Sequence, residues 1–365
     1  MDYVYRFPVV KGVQAGREYY IGMVPLKMIS RLFLSEEEYV LPEYRAQRKL
    51  NTARIPVICK YILENRNDYV FSALAASIDG QFCFMASELN HNIGILEVSM
   101  EARFLINDGQ HRKAAILEAL SEDETLGDET ISVVFFEDKG LARSQQIFTD
   151  LNKHAVKTSN SISELYDSRD GLAVVTRNMV AQVDFINRYT DKEKDILGKY
   201  SSNLFTLNTF YLANKKIIQR TKVTEDCEIF LVNYWKCVSA NLLQWNELLR
   251  KEISKVDLRE NYIITQAVVI QALGRVGNYF FMNRHEDVHT YLSGLQAINW
   301  KRNAEQWHLR TIRNGRMITS ETAVILTANA IKQALGIALD RDEAAREVKF
   351  IKSVQTKVHG RGDQS

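Results

Sequence analysis

With 365 residues, 46% apolar and 25% charged, the chain has material for one large or two ordinary globular domains, which excludes a disordered or fibrous polymer. A formal net charge of +2 excludes a surface that is basic throughout, so any contact with nucleic acid has to be local. Cys59, Cys83, Cys227 and Cys237 stand far apart with no Cys-x-x-Cys pair, so neither a zinc site nor a disulfide framework is expected, and no metal ligand set is assigned. No stretch approaches the roughly 20 apolar residues of a spanning helix, and residues 1–12 lack the apolar core of a secretory leader, which points to a cytoplasmic protein.

Residues 3–10 and 17–24 are rich in β-branched and aromatic side chains and predict strands. Pro25 suits the first turn of a short helix carrying Met28, Ile29, Leu32 and Phe33. An amphipathic helix is expected over 47–65, with Pro56 as a kink or a start within it. Residues 69–78 predict a buried strand, Asp79-Gly80 a hairpin turn, and 81–85 the returning strand. A strand over 101–107, a helix over 111–120, a strand over 131–137 and a helix over 141–151 complete a mixed α/β domain, expected to span 1–168. Helical periodicity then dominates 172–188, 203–220, 226–254, 261–282, 285–297 and 320–338. The fold class expected is therefore α+β, with an all-helical domain over 169–350 and a loose tail over 351–365. Gly274 and Gly277 sit inside a helical run and predict close helix packing.

The strongest chemical signal is the run Asp108-Gly109-Gln110-His111-Arg112-Lys113. A strand enters a tight turn where Gly109 can take a positive φ, and a helix starts at once. Its first backbone N–H groups then point out of the turn, and the helix dipole favours an anion there. Arg112 supplies a planar fork for phosphate oxygens, and Lys113 a point charge. Asp108 has three readings: a cap, an orienting partner for Arg112, or a holder of a nucleotide-bound metal. His111 has two, a phosphate contact or a proton carrier. The structural alternative is that Asp108 and His111 merely cap and pack a helix start.

Three further groups carry charge. Asn152, Lys153, His154 and Lys157 follow a predicted helix and suit closure over a phosphate, or a capped helix leading into a solvated loop. Arg45 and Arg48 share a helix face with Thr52, the pattern of a DNA-binding stripe or of a solvated face. Lys301, Arg302, Arg310, Arg313 and Arg316 gather near Trp300, Trp307 and His308, as in a groove that binds backbone and stacks bases. The tryptophans, seven apart, equally suit one face of a core element. The chain has no GxxxxGK[ST] loop, GxSxG elbow, HExxH or GxGxxG signature.

Asp108 to Arg112 reproduces the pentapeptide of the DGQHR-motif family. Segments 46–51 (AQRKLN), 148–154 (FTDLNKH), 166–170 (YDSRD), 191–194 (DKEK), 204–207 (LFTL), 314–316 (NGR) and 331–336 (IKQALG) resemble the DndB proteins within it. That resemblance implies a ParB/sulfiredoxin-like first domain, in which a glycine-containing strand-to-helix turn ending in arginine cradles nucleotide phosphates. Mapped here, the cradle is Gly109, Gln110, His111 and Arg112. Sulfiredoxin's reactive cysteine has no counterpart in the turn, so its redox chemistry is not implied. DndB-like proteins accompany the enzymes that replace a non-bridging DNA phosphate oxygen with sulfur, and are associated with transcriptional control of that gene cluster.

The resemblance therefore implies a DNA-binding regulator, with promoter double-stranded DNA, the phosphorothioation enzymes and a second copy of the chain as partners. The alternative is a nucleotide-binding or hydrolysing enzyme using the same turn, with a nucleoside triphosphate and Mg as cofactors and Asp108 and His111 as catalytic groups. A third reading is a subunit that docks on the modification enzymes through its helical domain.

Overall fold

The computed structural model describes residues 3–33, 50–138, 141–153, 158–198 and 200–359, with backbone alone for 141–143, 152–153 and 356–359. Its architecture is α+β, and the chain divides into two units, Met1–Val156 and Lys157–Ser365, each with its own apolar core.

Seven strands of the first unit form one mixed sheet: β1 Val4–Gln14, β2 Arg17–Pro25, β3 Leu74–Asp79, β4 Phe82–Ser87, β5 Asn90–Ser99, β6 Arg103–Asp108 and β7 Thr130–Glu137. Their order is β4-β5-β1-β2-β7-β3-β6, antiparallel except for the β3–β7 pair. In β7 the burial alternates, with Ile131, Val133 and Phe135 inward, as a two-residue period requires. In β3 all five residues from Leu74 to Ile78 are buried, because this strand is covered on both faces. Leu74, Ala76 and Ile78 join the apolar core, whereas Ser77 points the other way, 3.5 Å from the Ser144 hydroxyl.

Helix α1 (Ile29–Leu32) follows a 3-10 turn at Leu26–Met28. Helices α2 (Ile55–Glu64) and α3 (Gln110–Glu122) bury Cys59, Ile62, Ala115, Ile116 and Ala119 in the same core, and α4 (Leu141–Lys153) carries Ser144. Two local expectations are corrected. Asp79-Gly80 does not join paired strands: β3 pairs with β6 and β7, while β4 pairs with β5, a strand overlooked in the sequence. The expected helix over 47–65 does not run through Asn51, whose backbone is extended. Asn51 instead caps a 3-10 turn at Thr52–Arg54, and α2 starts with Pro56 in its first turn. Arg45 and Arg48 lie outside the described residues.

The second unit contains α5 Asn160–Tyr166, α6 Gly171–Gln182, α7 Asp184–Tyr189, α8 Leu207–Ile218, α9 Glu225–Asn241, α10 Leu243–Leu249, α11 Lys255–Asn261, α12 Ala267–Met282, α13 Val288–Ser293, α14 Glu321–Ala334 and α15 Arg341–His359. It is not wholly helical. Strands β8 (Thr190–Asp191) and β9 (Phe205–Thr206) pair in parallel, and β10 (Ile312–Arg313) and β11 (Arg316–Met317) form a hairpin around Asn314-Gly315. Gly274 lets α12 meet α8 closely, since a Cβ there would stand 2.5 Å from the Ala213 carbonyl oxygen.

The unit boundary falls before α5 rather than near Ser168. The reason is local: the Asp195 carboxylate accepts the N–H groups of Asn160 and Ser161, tying α5 to the helical unit. The expected loose tail is helical as far as His359. Glu343 and Glu347, one turn apart on α15, are held by Lys332 and Arg310, which anchors the helix that runs on past residue 351. Among the described residues, no helix is long and apolar enough to cross a membrane.

Candidate phosphate-binding site

Strand β6 buries Phe104 and Ile106 and delivers Asp108 to its end, opposite Ala75 of β3. The next residue, Gly109, has φ +102° and ψ 14°, and a Cβ there would stand 2.3 Å from Leu74 Cδ2. Backbone conformation and crowding both demand glycine. Helix α3 then begins at Gln110 with no side-chain cap. Its first closing bond is Lys113 N–H to the Gly109 carbonyl at 2.9 Å, so the N–H groups of Gln110, His111 and Arg112 precede the first intrahelical acceptor. The sequence-predicted turn is therefore a helix N-terminus with its positive end at the loop.

Arg112 is pinned across this turn. Its Nη2 donates to Asp108 Oδ2 at 2.5 Å, and its Nη1 donates both to the Ser72 carbonyl at 3.0 Å and to the Ser72 hydroxyl. The side chain is 16% exposed. Three of five donors are thus engaged among the described residues, which leaves Nε–H and one Nη2–H for a ligand. Asp108 fits the orienting role, with its carboxylate holding the fork in place.

His111 is buried, and its Nε2 accepts the Asn51 backbone N–H at 3.1 Å. A ring nitrogen that accepts carries no proton, so this contact holds a neutral ring with its proton on Nδ1. The Asn51 Oδ1 accepts from Ala53 N–H, so the imidazole ties the 3-10 turn at Thr52–Arg54 to the start of α3. Arg54 is exposed, and among the described residues it makes no ion pair.

Arg54, Ser72, Asn107, the Asp108–Arg112 turn and Phe148 line one cavity of about 380 Å³. Asn107 is 1% exposed; its Nδ2 donates to the Ser77 hydroxyl at 2.7 Å, while its Oδ1 is buried with no partner among the described residues. Behind it, the Ser144 hydroxyl donates to Asp138 Oδ1 at 3.1 Å. The cavity thus combines a helix N-terminus, a fixed guanidinium, an unengaged guanidinium and one orphaned acceptor. Arg54, Ser72 and Asn107 were not anticipated. The Ile55-Pro56 helix start was the signal that could have found Arg54; Ser72 offers none, because it lies in the irregular segment that leads into β3, far from the turn in sequence.

The other expected site residues are dispersed. Asn152 and Lys153 form the last turn of α4, and their side chains, like His154 and Lys157, lie outside the described residues. In the second unit Trp300 and Trp307 stack at 5.4 Å inside the core, each donating its indole N–H to a backbone carbonyl, so they serve as packing rather than a base-stacking platform. Arg310 pairs with Glu347 through both Nη groups and lies 4.4 Å from the Phe350 ring. Arg302 donates to the Arg259 carbonyl at 3.0 Å. Lys301, Arg313 and Arg316 are exposed, the last two flanking the tip of the β10–β11 hairpin.

Cys59, Glu118 and Glu122 bring ligand atoms within 4.8 Å of one another between α2 and α3. Burial pushes the Cys59 thiol up, and the Glu122 and Glu118 charges push it further, so it is a protonated donor toward Glu122 rather than a thiolate.

The family model of DndB, described as DNA-sulfur modification-associated, matches residues 7–338. The chain belongs to the DndB family. That match spans both units, from β1 to the residues just beyond α14, and it ties the chain to the DNA sulfur modification system. No curated protein and no solved structure matches it.

Proposed function

We propose that this chain is a DNA-binding regulator of the DNA phosphorothioation genes, and that the Gly109–Arg112 turn holds a phosphate group. The observation that carries the phosphate reading is the cavity itself. Arg112 is immobilised at the N-terminus of α3, with Arg54 beside it making no ion pair among the described residues. The DNA reading is supported by membership of a family associated with DNA sulfur modification, and by exposed Lys301, Arg313 and Arg316. Arg302 and Arg310 are weaker candidates, since both are engaged internally.

The test is footprinting and a binding titration on promoter DNA from the modification cluster at several salt concentrations. Sequence-specific protection is expected, with affinity falling steeply as salt rises. The double variant Arg313→Ala/Arg316→Ala should reduce the salt slope by about 2. Failure to protect any promoter segment at moderate salt sinks the regulator reading.

A second reading is favoured by one specific feature. The cavity is small and concave, and it pairs its cations with the orphaned Asn107 acceptor, which suits a nucleotide that offers both a phosphate and a donor. A nucleoside triphosphate with Mg would then sit at the turn, and its occupancy would set DNA affinity. Titration of ATP, GTP and CTP, for wild type and Arg112→Ala, tests it. Turnover that persists in Arg112→Ala would show that the activity arises elsewhere.

A further inference from the structure

The second unit holds a cavity of opposite character. It measures about 410 Å³ and is bordered by Glu164, Asp167, Asp170, Asn208 and Tyr211. Helix α5 supplies Glu164, and the turn into α6 supplies Asp167 and Asp170. Asp170 caps α6 through Leu172 N–H and accepts the Tyr211 hydroxyl at 2.7 Å. Glu164 is 9% exposed, and its Oε2 is wholly buried with no hydrogen-bond partner among the described residues.

The nearby cation does not compensate these acids. Arg177 turns its Nη1 to the backbone carbonyls of Glu164 and Asp167, closing the C-terminal end of α5 instead. Asp195 adds a further negative charge while capping the other end. One segment that carries the sequence resemblance, 166–170, supplies Asp167 and Asp170 to this cavity. Beside it, the Ser161 hydroxyl donates to the Lys194 carbonyl and accepts the Asn208 N–H at the start of α8.

An orphaned, buried carboxyl among further acids gives up its charge unless a cation is there to stabilise the ionised form. We infer that this cavity binds an organic cation, a primary ammonium or guanidinium group, with Glu164 as the buried anchor and Asp167 and Asp170 at the rim. An organic cation fits better than a metal ion. Among the described residues, these carboxylates do not bring three ligand atoms within 4.8 Å of one another, as chelation would need. A cavity of this volume instead admits a planar or tetrahedral head group with part of its stem.

The site is poised to respond to such a ligand. Burial, and then the Asp195 and Asp170 charges, raise the Glu164 carboxyl to about 8, so near neutrality it is largely protonated. A bound cation stabilises the ionised form and expels that proton. Asp195, from the segment after β8, and Asp170, at the cap of α6, act on Glu164 through their charge; Asp167 and Tyr211 share the cavity with it, and Arg177 reaches its backbone carbonyl.

The experiment titrates the full chain with agmatine, with spermidine and with a short arginine-containing peptide, reading heat and thermal midpoint at about pH 6.5 and about pH 9. Saturable binding of at least one probe is expected, tighter at the higher pH, with proton release near pH 7. Glu164→Gln should weaken it about tenfold or more while leaving the chain folded, and Asp170→Asn, which preserves the cap, should weaken it less. Binding of the small amines assigns the site to a free metabolite; binding of the peptide alone assigns it to a basic side chain of a protein. No saturable binding of any probe, or an unchanged affinity in Glu164→Gln, overturns the inference. So does Glu164-dependent binding of Ca or Mg in their place.

Discussion

The two cavities are built from similar parts and left with opposite charge. Each sits beside a helix end, and each has a carboxylate one turn from a functional group. In the first unit, Asp108 is matched to Arg112, and Arg54, beside the N-terminus of α3, holds no ion pair among the described residues. In the second, Arg177 is diverted to backbone carbonyls, and the cavity keeps the carboxyls of Asp167, Asp170 and Glu164, the last largely protonated until a cation binds. Composition hides this difference, since the whole chain carries only +2. What decides the sign of a ligand is the charge remaining once internal pairs are formed.

Removing Arg112 gives the largest expected effect. Arg112→Ala strips the fixed fork from the first cavity and frees Asp108, leaving an uncompensated carboxylate at the helix start. Affinity for a phosphate-bearing ligand should fall about a hundredfold, near 2.7 kcal/mol. Amine binding at the second cavity should be unchanged in the same titration, and a parallel loss there would break the distinction between the two sites. Arg112→Lys should recover little, because an ammonium cannot reach Asp108 and Ser72 together in the geometry of a fork.

The Glu164→Gln variant probes the other side through stability. The folded-state value of this carboxyl, about 8, lies above its ordinary 4.5. The folded chain therefore binds a proton that the unfolded chain releases over that interval. Its contribution is fully present below about 4.5 and is lost as pH rises through about 8. Glutamine does not titrate, so the variant should gain relative to wild type from pH 4.5 upward and level off above 8. The plateau should be on the order of 2–3 kcal/mol, since relaxation around a partly hydrated cavity blunts the effect. Denaturant midpoints measured across that pH range would reveal a flat difference if Glu164 were already ionised in the native state.

Gly109→Ala asks how much of the first cavity depends on backbone geometry. A side chain here must adopt φ +102° and displace Leu74 Cδ2, so the unit should lose about 1–2 kcal/mol of stability. The flexible leucine end can shift, which keeps the cost below that of a backbone clash. Phosphate affinity should fall as well, because the Arg112 guanidinium lies 3.2 Å from the same point.

These residues differ in how visible they are in the sequence. The strand-turn-helix around Gly109 was legible because all its determinants are contiguous: an apolar strand, a glycine, a helix former and a basic residue. Most helices of the second unit were legible for the same reason, through their 3.6-residue period. The pairing of β3 with β7 and β6 was not legible, since Asp79-Gly80 is locally a good hairpin turn and only the sheet order rejects it. Nor was the acidic cavity. Glu164 lies in a short helix with no distinguishing pattern, and its burial comes from the neighbouring α6 together with α8, which is distant in sequence. The tryptophan and arginine cluster misleads in the opposite direction. Trp300 and Trp307 are adjacent to basic residues in sequence, yet their rings face inward and Arg310 is consumed by Glu347.

Arg54→Glu should have the smallest effect, and it sharpens the comparison most directly by giving the first cavity the surplus sign of the second. Arg54 is exposed at the end of a 3-10 turn and holds no ion pair among the described residues, so folding stability should move by less than about 0.5 kcal/mol. Arg112 keeps Asp108 and Ser72, and the α3 N-terminus is untouched. Phosphate affinity should therefore fall only several-fold at low salt, and the deficit should shrink as ionic strength rises, because an exposed charge acts through solvent. A loss as deep as that of Arg112→Ala, persisting at high salt, would mean that Arg54 touches the ligand directly and closes over it. The fixed fork would then share its role with a residue that the sequence placed outside the motif.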